Sequence, residues 1–252
     1  MKLCAIVPVY NHGEAIGAVV KALRGHLLPC ILVDDGSEPS CAAVLDALAA
    51  AEPTHVTVVR LAQNQGKGGA MAAGFRAAHA QGYTHGLQID ADGQHETADV
   101  PVFAKLAAAH PDAIICGCPL FDDSVPSVRF YGRYLTHILV WLNTLSFSIR
   151  DSMCGFRVYP LAQTVALMDS VYIGRRMDFD SEVIVRLYWR GLDVINQPTR
   201  VRYPTDGISH FRMLRDNLLI ARMHLRLFAG MLVRSPWLMT RNLKRWLGRS
   251  AV

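Results

Sequence analysis

The first half of the chain alternates short, continuous apolar runs with longer Ala-rich stretches of helical spacing. Residues 3–9, 31–33, 56–61, 86–89 and 113–116 are apolar with little polar alternation, the pattern of strands covered on both faces. Between them, residues 14–27, 41–51, 69–81 and 99–109 carry the helical pattern. Strand–helix alternation of this kind predicts an α/β fold, Rossmann-like, with a mostly parallel central sheet and helices on both faces. In such sheets the ligand site lies beyond the carboxyl ends of the strands.

The second half changes character. Residues 134–149 place Leu135, Ile138, Leu139 and Leu142 at helical spacing, interrupted by His137 and Asn143, and 193–203 reads as one or two further strands. Residues 217–233 are apolar but include Arg222, His224 and Arg226. Neither apolar helix reaches the ~20 uncharged residues of a membrane span, so no transmembrane segment is predicted. The organisation expected is one domain over 1–210 and a basic, amphipathic helical tail over 211–252.

Charge sharpens that division. The chain carries +5, yet from Gly207 onward nine basic residues face the single acid Asp216, so the rest is net acidic. On the helix at 217–233, Arg215, Arg222 and Arg226 fall on one side, with Ile220, Leu227, Phe228 and Met231 opposite. Arg234, Trp237, Arg241, Lys244, Arg245 and Trp246 follow. Arginines mixed with tryptophans beside an apolar face suit an anionic membrane surface; the alternative is a helix packed on the domain with its arginines in water. No nucleic-acid motif accompanies the charge, so nucleic acid is not an expected partner.

Composition adds less. At 252 residues, 51% hydrophobic and 19% charged, the chain suits one large domain with a short appendage and excludes intrinsic disorder. The start lacks the basic, apolar, small-residue order of a signal peptide, which points to a cytoplasmic location, peripheral at the inner face of the membrane if the tail binds there. The six cysteines sit mostly in apolar runs without metal-site spacing and read as buried, reduced thiols.

The candidate chemistry gathers where strands end. Pro8-Val9-Tyr10-Asn11 follows the first run and Asp34-Asp35-Gly36-Ser37 the second. Asn64-Gln65-Gly66-Lys67-Gly68-Gly69 follows the third and Asp90-Ala91-Asp92-Gly93-Gln94-His95 the fourth. Carboxylates one residue apart at a strand end can share a cleft, and a hard divalent cation relieves their repulsion while taking phosphate oxygens as further ligands. Asp34 and Asp35 stand where a doubly wound sheet receives a ribose or base; the alternative is an Asx turn, with one acid capping and the other binding. The glycine loop lets backbone approach a ligand, and Lys67 suits anionic oxygen, but the spacing excludes a P-loop.

These segments resemble family 2 glycosyltransferases, particularly the branch of dolichyl-phosphate and polyprenyl-phosphate sugar synthases. Asp151-Ser152-Met153-Cys154-Gly155-Phe156-Arg157 and Asp178-Phe179-Asp180-Ser181-Glu182 resemble the later segments of that family, and the likeness spans about residues 3 to 210. It implies a GT-A fold and an inverting, metal-dependent transfer from a nucleotide-diphosphate sugar. Pro8, Tyr10, Asn11, Glu14, Asp34, Asp35, Lys67 and Asp90 would bind the donor. Asp90, Asp92 and Gln94 would hold Mg²⁺ or Mn²⁺. Asp180 or Glu182 would serve as base for a hydroxyl acceptor, or orient a phosphate acceptor. Asp151, Gly155, Phe156, Arg202 and His210 would shape the acceptor side, for a lipid-linked or membrane-proximal acceptor in glycolipid or cell-envelope glycan synthesis.

Two departures stand out. The branch often carries Gly-Ser-Arg after the fifth strand, where this chain has Gly117-Cys118-Pro119, and Gly207-Ile208-Ser209-His210 lacks the lysine of the family's closing motif. Arg129, Arg133, Arg202 or His210 would have to supply the missing grip on phosphate. The competing readings are a nucleotidyltransferase, disfavoured by the absence of a basic glycine loop after the first strand, and a non-catalytic nucleotide-binding protein, disfavoured by the intact acidic cluster.

Overall fold

The computed structural model describes residues 1–120, 127–201 and 213–249. Its strands are β1 (Leu3–Val9), β2 (Cys30–Asp34), β3 (Val56–Arg60), β4 (His85–Gln88), β5 (Ile114–Leu120), β6 (Arg157–Pro160) and β7 (Val194–Arg200). They form one sheet in the order β3-β2-β1-β4-β6-β5-β7. β1 lies parallel to β2 and β4, and β2 parallel to β3. β6 runs antiparallel between β4 and β5, and β7 is parallel to β5.

The apolar runs are continuous because both faces of the sheet are covered. Cys4, Ile6, Ile31 and Val33 point to one side, against Met71 and Phe75 of α3 (Lys67–Ala80). Their neighbours Ala5, Val7 and Leu32 point to the other. There they meet α1 (Gly13–Gly25), α2 (Pro39–Ala51) and α4 (Val100–Ala109), through Ile16, Leu45 and Phe103. The sequence placed these elements to within a few residues. Residues 193–203 hold one strand, β7, followed by a bridge at Val201. β6 and the following α6 (Leu161–Ser170) were not anticipated, because a four-residue strand opening on an arginine carries no alternation to read.

The C-terminal half builds a helical layer on the α3 side. α5 (Ser127–Thr144), α7 (Phe179–Trp189) and α8 (Met213–Arg249) contribute Val140, Val183, Leu187, Met223, Leu227, Met231 and Leu238 to the same core as α3. α8 is a single helix of 37 residues. Pro236 inside it has no N–H to give, and the Ser235 hydroxyl donates instead to the Leu232 carbonyl at 2.9 Å. Polar ties pin the far end: Asn242 Nδ2 donates to the Leu145 carbonyl at 2.9 Å, and Tyr188 Oη donates to Asn242 Oδ1 at 2.6 Å. Leu227 and Met231 face inward as expected, but Phe228 does not; it turns toward solvent with the outward leucines. All six cysteines are free, and all but Cys118 are buried. Burial pushes the Cys116 thiol up to about 12, which keeps it protonated and unreactive.

Candidate active site

Strand order reverses between β1 and β4, and the polar clusters meet at the carboxyl edge of that junction. β6 makes this edge richer than a purely parallel sheet would. Because it runs backwards, its first residue pairs with the last residue of β4, Arg157 with Gln88. The loop leading into β6 therefore arrives beside Asp90.

Gly155 sits against that aspartate. A methyl group placed there would clash with the Asp90 carboxylate, 2.8 Å from its Cγ, and lie 2.8 Å from Lys67 Nζ. The glycine thus lets two segments distant in sequence close on one charged centre. Lys67 Nζ lies 2.8 Å from Asp90 Oδ1 and 2.9 Å from Asp180 Oδ2, joining the acidic cluster after β4 to the start of α7. Gln88 Nε2 donates to Asp180 Oδ1 at 2.8 Å, and Arg157 donates to the Asp180 carbonyl at 2.7 Å. Burial alone would raise Asp90, but the Lys67 ammonium and His95 hold its carboxyl well below the usual carboxylate range. Burial would lower Lys67, and the two carboxylates reverse that, so it stays charged.

A cavity of about 100 Å³ opens beside this centre, lined among others by Asp90, Asp92, Gln94, His95, Arg133 and Gly155. Among the described residues no group of three or more acids, histidines or cysteines forms a ready metal cage. The donor set is the two carboxylates of Asp90 and Asp92, with the Gln94 amide on the same wall. That fits a hard cation of the Mg²⁺ or Mn²⁺ kind, which is often held by one or two carboxylates and takes its remaining oxygens from substrate phosphate and water.

The same cavity is lined by Arg133 of α5. Arg133 and His137, one turn apart on α5, both reach Asp151: Arg133 Nε at 2.7 Å and His137 Nε2 at 3.3 Å from Oδ2. The other carboxylate oxygen accepts from the N–H groups of Met153 and Cys154 at 2.8 and 2.7 Å. Burial would raise Asp151, yet the His137 and Arg133 contacts hold it far below the usual range. Asp151 is therefore an organiser. It folds the loop that carries Gly155 and holds Arg133 at the cleft, while its own oxygens are engaged.

Several other expected ligand residues also serve the frame. Asp34 accepts from the Ser37 N–H at 2.9 Å and from Arg60 Nε at 2.8 Å. Asp35 accepts from the N–H groups of Gln65 and Gly66 at 2.7 and 2.8 Å. Both are buried, and in this structure both carboxylates hold loops. Asn11, at φ 59°, donates its N–H to Ser37 Oγ at 3.1 Å and accepts from the Glu38 N–H at 2.8 Å, tying the ends of β1 and β2. Pro8 and Tyr10 remain half-buried at the rim, and Glu14 is exposed in the first turn of α1. Phe156 is fully buried, tilted on Phe103 with centroids 4.3 Å apart and stacked behind His95 at 5.5 Å, so it supports the cleft and does not line it. Arg202, His210 and the Arg129 side chain lie outside the described residues.

The largest correction concerns Glu182. Residues two apart on a helix point about 200° apart, so Asp180 and Glu182 cannot both face the cleft. Asp180 does. Glu182 is fully buried on the other side and accepts from the Gly174 N–H at 2.8 Å, Arg186 Nε at 2.9 Å and Arg226 at 2.9 Å. A base role is closed to it. Removing one member of a buried ion cluster is destabilising, discounted here because Arg226 is 39% exposed. Glu182→Gln is expected to cost about 2–3 kcal/mol of stability, seen in thermal melts, with turnover per folded molecule retained. Turnover abolished at unchanged melting temperature would restore Glu182 to the chemistry.

Gln88, Arg157, His137 and His95 received no role from the sequence. Gln88 was hidden inside an apolar run; a fully buried glutamine on a central strand is itself a signal, since it needs a partner. His137 interrupts an apolar helix one turn after Arg133, and that spacing was the available clue.

The chain is similar to known proteins along most of its length. The Glycosyl transferase family 2 pattern matches residues 4–175. A polyprenol monophosphomannose synthase of Mycolicibacterium smegmatis is 37% identical over 218 residues, covering 81% of this chain and 78% of that protein. A dolichyl-phosphate beta-glucosyltransferase of Drosophila melanogaster is 28% identical over 209 residues, 73% of this chain but only 62% of the longer relative. Among solved structures, glucosyl-3-phosphoglycerate synthase from Mycobacterium tuberculosis superposes with a TM-score of 0.61 at 17% identity, covering 92% of this chain and 79% of the other. A Staphylococcus aureus TarS structure with UDP gives 0.58 at 14% identity, covering 93% and 71%. These likenesses bear out the GT-A architecture, and the chain is a member of glycosyl transferase family 2.

Proposed function

We propose that the protein is an inverting transferase that moves a sugar from a nucleoside-diphosphate donor to a polyprenyl-phosphate-type lipid acceptor at an anionic membrane surface. The observation that carries this reading is one cleft whose lining brings together the carboxylates of Asp90 and Asp92 and the guanidinium of Arg133. The two carboxylates would hold the divalent cation, which when bound supplies charge neutralisation for the departing diphosphate. The half-buried residues Pro8 and Tyr10, with the exposed Glu14, would receive the nucleoside.

The surroundings of Asp180 support a phosphate acceptor. A hydroxyl nucleophile needs a base, whereas a phosphate is already anionic. Both Asp180 oxygens are engaged, one by Gln88 and one by Lys67, which suits orientation more than proton removal. Arg133, on the cleft lining, would supply the cationic grip that an acceptor phosphate needs, and its sequence position differs from the family's usual basic motifs. The names of the polyprenol and dolichyl-phosphate relatives support the same class. The test is transfer of labelled sugar from a donor panel to a polyprenyl phosphate and to the matching free polyprenol. Lipid product is expected from the phosphate alone, with nucleoside diphosphate released; equal transfer to the alcohol would refute the acceptor assignment.

The membrane surface is read from α8 and α5. Among the described residues no helix is long and apolar enough to cross a bilayer. On α8, Leu218, Leu225, Leu232 and Met239 recur every seven residues on the side facing away from the core, each more than half exposed. Leu135, Ile138 and Leu142 are exposed on α5. Arg215 and Arg222 flank the α8 stripe, the arrangement of a helix lying in an anionic interface. Changing Leu218, Leu225, Leu232 and Met239 to serine together is expected to abolish co-sedimentation with anionic vesicles and leave the melting temperature near that of the parent. Undiminished co-sedimentation would remove α8 from the interface.

A further inference from the structure

Lys67 was expected among the donor-binding residues, and its ammonium lies between two protein carboxylates. We infer that Lys67 competes with the divalent cation for Asp90, so that the protein binds the cation weakly alone and firmly only together with the donor diphosphate. This inference rests on the metal-dependent reading given under Proposed function and adds an order of assembly to it.

Lys67 cannot easily leave its position. It is the first residue of α3, and that end of the helix is fixed by a neighbouring loop: the N–H groups of Gly68 and Gly69 donate to the Arg175 carbonyl at 2.8 and 3.2 Å. Gly66, at φ 84°, allows this approach, since a Cβ there would lie 2.5 Å from the same carbonyl. The side chain is then held between Asp90 and Asp180, at 2.8 and 2.9 Å, and it also reaches the second Asp90 oxygen at 3.1 Å. A cation approaching Asp90 therefore meets a fixed positive charge in contact with both oxygens of its ligand.

The remaining donor set is thin. Asp92 is the other carboxylate on the wall, and no third acid or histidine completes a cage among the described residues. A dication entering alone gains little and is repelled by Lys67. A diphosphate arriving with it changes both terms, because its oxygens fill the cation's coordination shell and its negative charge offsets the ammonium. Asp180 gives Lys67 a second partner when the cation takes an Asp90 oxygen, so the lysine need not become an unpaired buried charge. Cation and donor then bind cooperatively, each raising the affinity of the other by the same factor.

The experiment is titration of the purified full chain with Mn²⁺, reading free ion by electron paramagnetic resonance, with and without UDP or GDP. For the parent protein a nucleoside diphosphate is expected to tighten Mn²⁺ binding at least about 10-fold. In Lys67→Met and Lys67→Gln, Mn²⁺ alone is expected to bind at least about 10-fold more tightly than in the parent, with the effect of nucleotide reduced. Lys67→Arg keeps the charge and is expected to resemble the parent. Thermal melts establish which variants fold; two neutral replacements are used so that either suffices. Parent-like or weaker Mn²⁺ binding in a folded neutral variant, beside nucleotide-assisted binding in the parent, overturns the inference and leaves the metal reading intact. If the parent holds no Mn²⁺ with either nucleotide, the metal reading fails and the competition fails with it.

Discussion

Asp90→Asn is expected to lower sugar transfer on the order of 10³-fold, the largest loss at any single position. The amide keeps the size of the carboxylate and removes the charge on which two contacts depend. Lys67 loses its 2.8 Å ion pair, His95 loses its 3.4 Å contact, and the cavity lining keeps Asp92 as its remaining carboxylate. Stabilisation of charge on a leaving diphosphate is where such sites gain most of their rate, so the loss belongs in kcat. The check is single-turnover transfer at saturating donor, with Mn²⁺ retention in the presence of UDP or GDP measured on the same protein. A folded variant with near-parental transfer would end the assignment of Asp90 to the reaction.

Gly155→Ala is the second. One methyl group would press on the Asp90 carboxylate and lie 2.8 Å from Lys67 Nζ, and neither neighbour can yield freely because they hold each other. The loop also cannot retreat, since Asp151 pins it through the N–H groups of Met153 and Cys154. A displacement of about 1 Å at a charged centre costs roughly 10²-fold in rate. That loss is expected in kcat, with the melting temperature lowered by only a few degrees. Gly17→Ala on α1 is the matched control: nothing lies within 4 Å of the added methyl, so transfer should be unchanged and the melting temperature equal or slightly raised, as expected for alanine inside a helix. A fully active Gly155→Ala protein would show that Asp90 and the β6 loop are not packed as described.

Local order was legible in the sequence and long-range closure was not. The strand at Leu3–Val9 and its parallel neighbours are read from runs of apolar residues, because burial on both faces leaves a one-dimensional trace. β6 leaves no such trace. Its position follows from the pairing of Arg157 with Gln88, 69 residues earlier in the chain, and no spacing rule reports that. The acidic site showed the same divide. The clusters after β2, β3 and β4 were found, but which carboxylates face the cleft depended on neighbours: Asp35 is consumed by the Gln65 and Gly66 N–H groups, and Asp180 is turned toward Lys67. The opposed directions of Asp180 and Glu182 needed only helical geometry and were available without coordinates. The pairing of Arg133 and His137 with Asp151 required the packing of α5 against the 151–155 loop.

α8 extends about 55 Å as one rod, and its inner side is fastened at several points, from Arg226 on Glu182 to Asn242 on the Leu145 carbonyl. A rod fixed along its length cannot pivot. Whatever the outer leucines rest on, the mouth of the cleft stands at a constant height and tilt above it. On the proposed membrane-surface reading, the reach of the cleft toward its acceptor would be a built-in dimension, altered by changing the length of α8 and not by loosening a hinge.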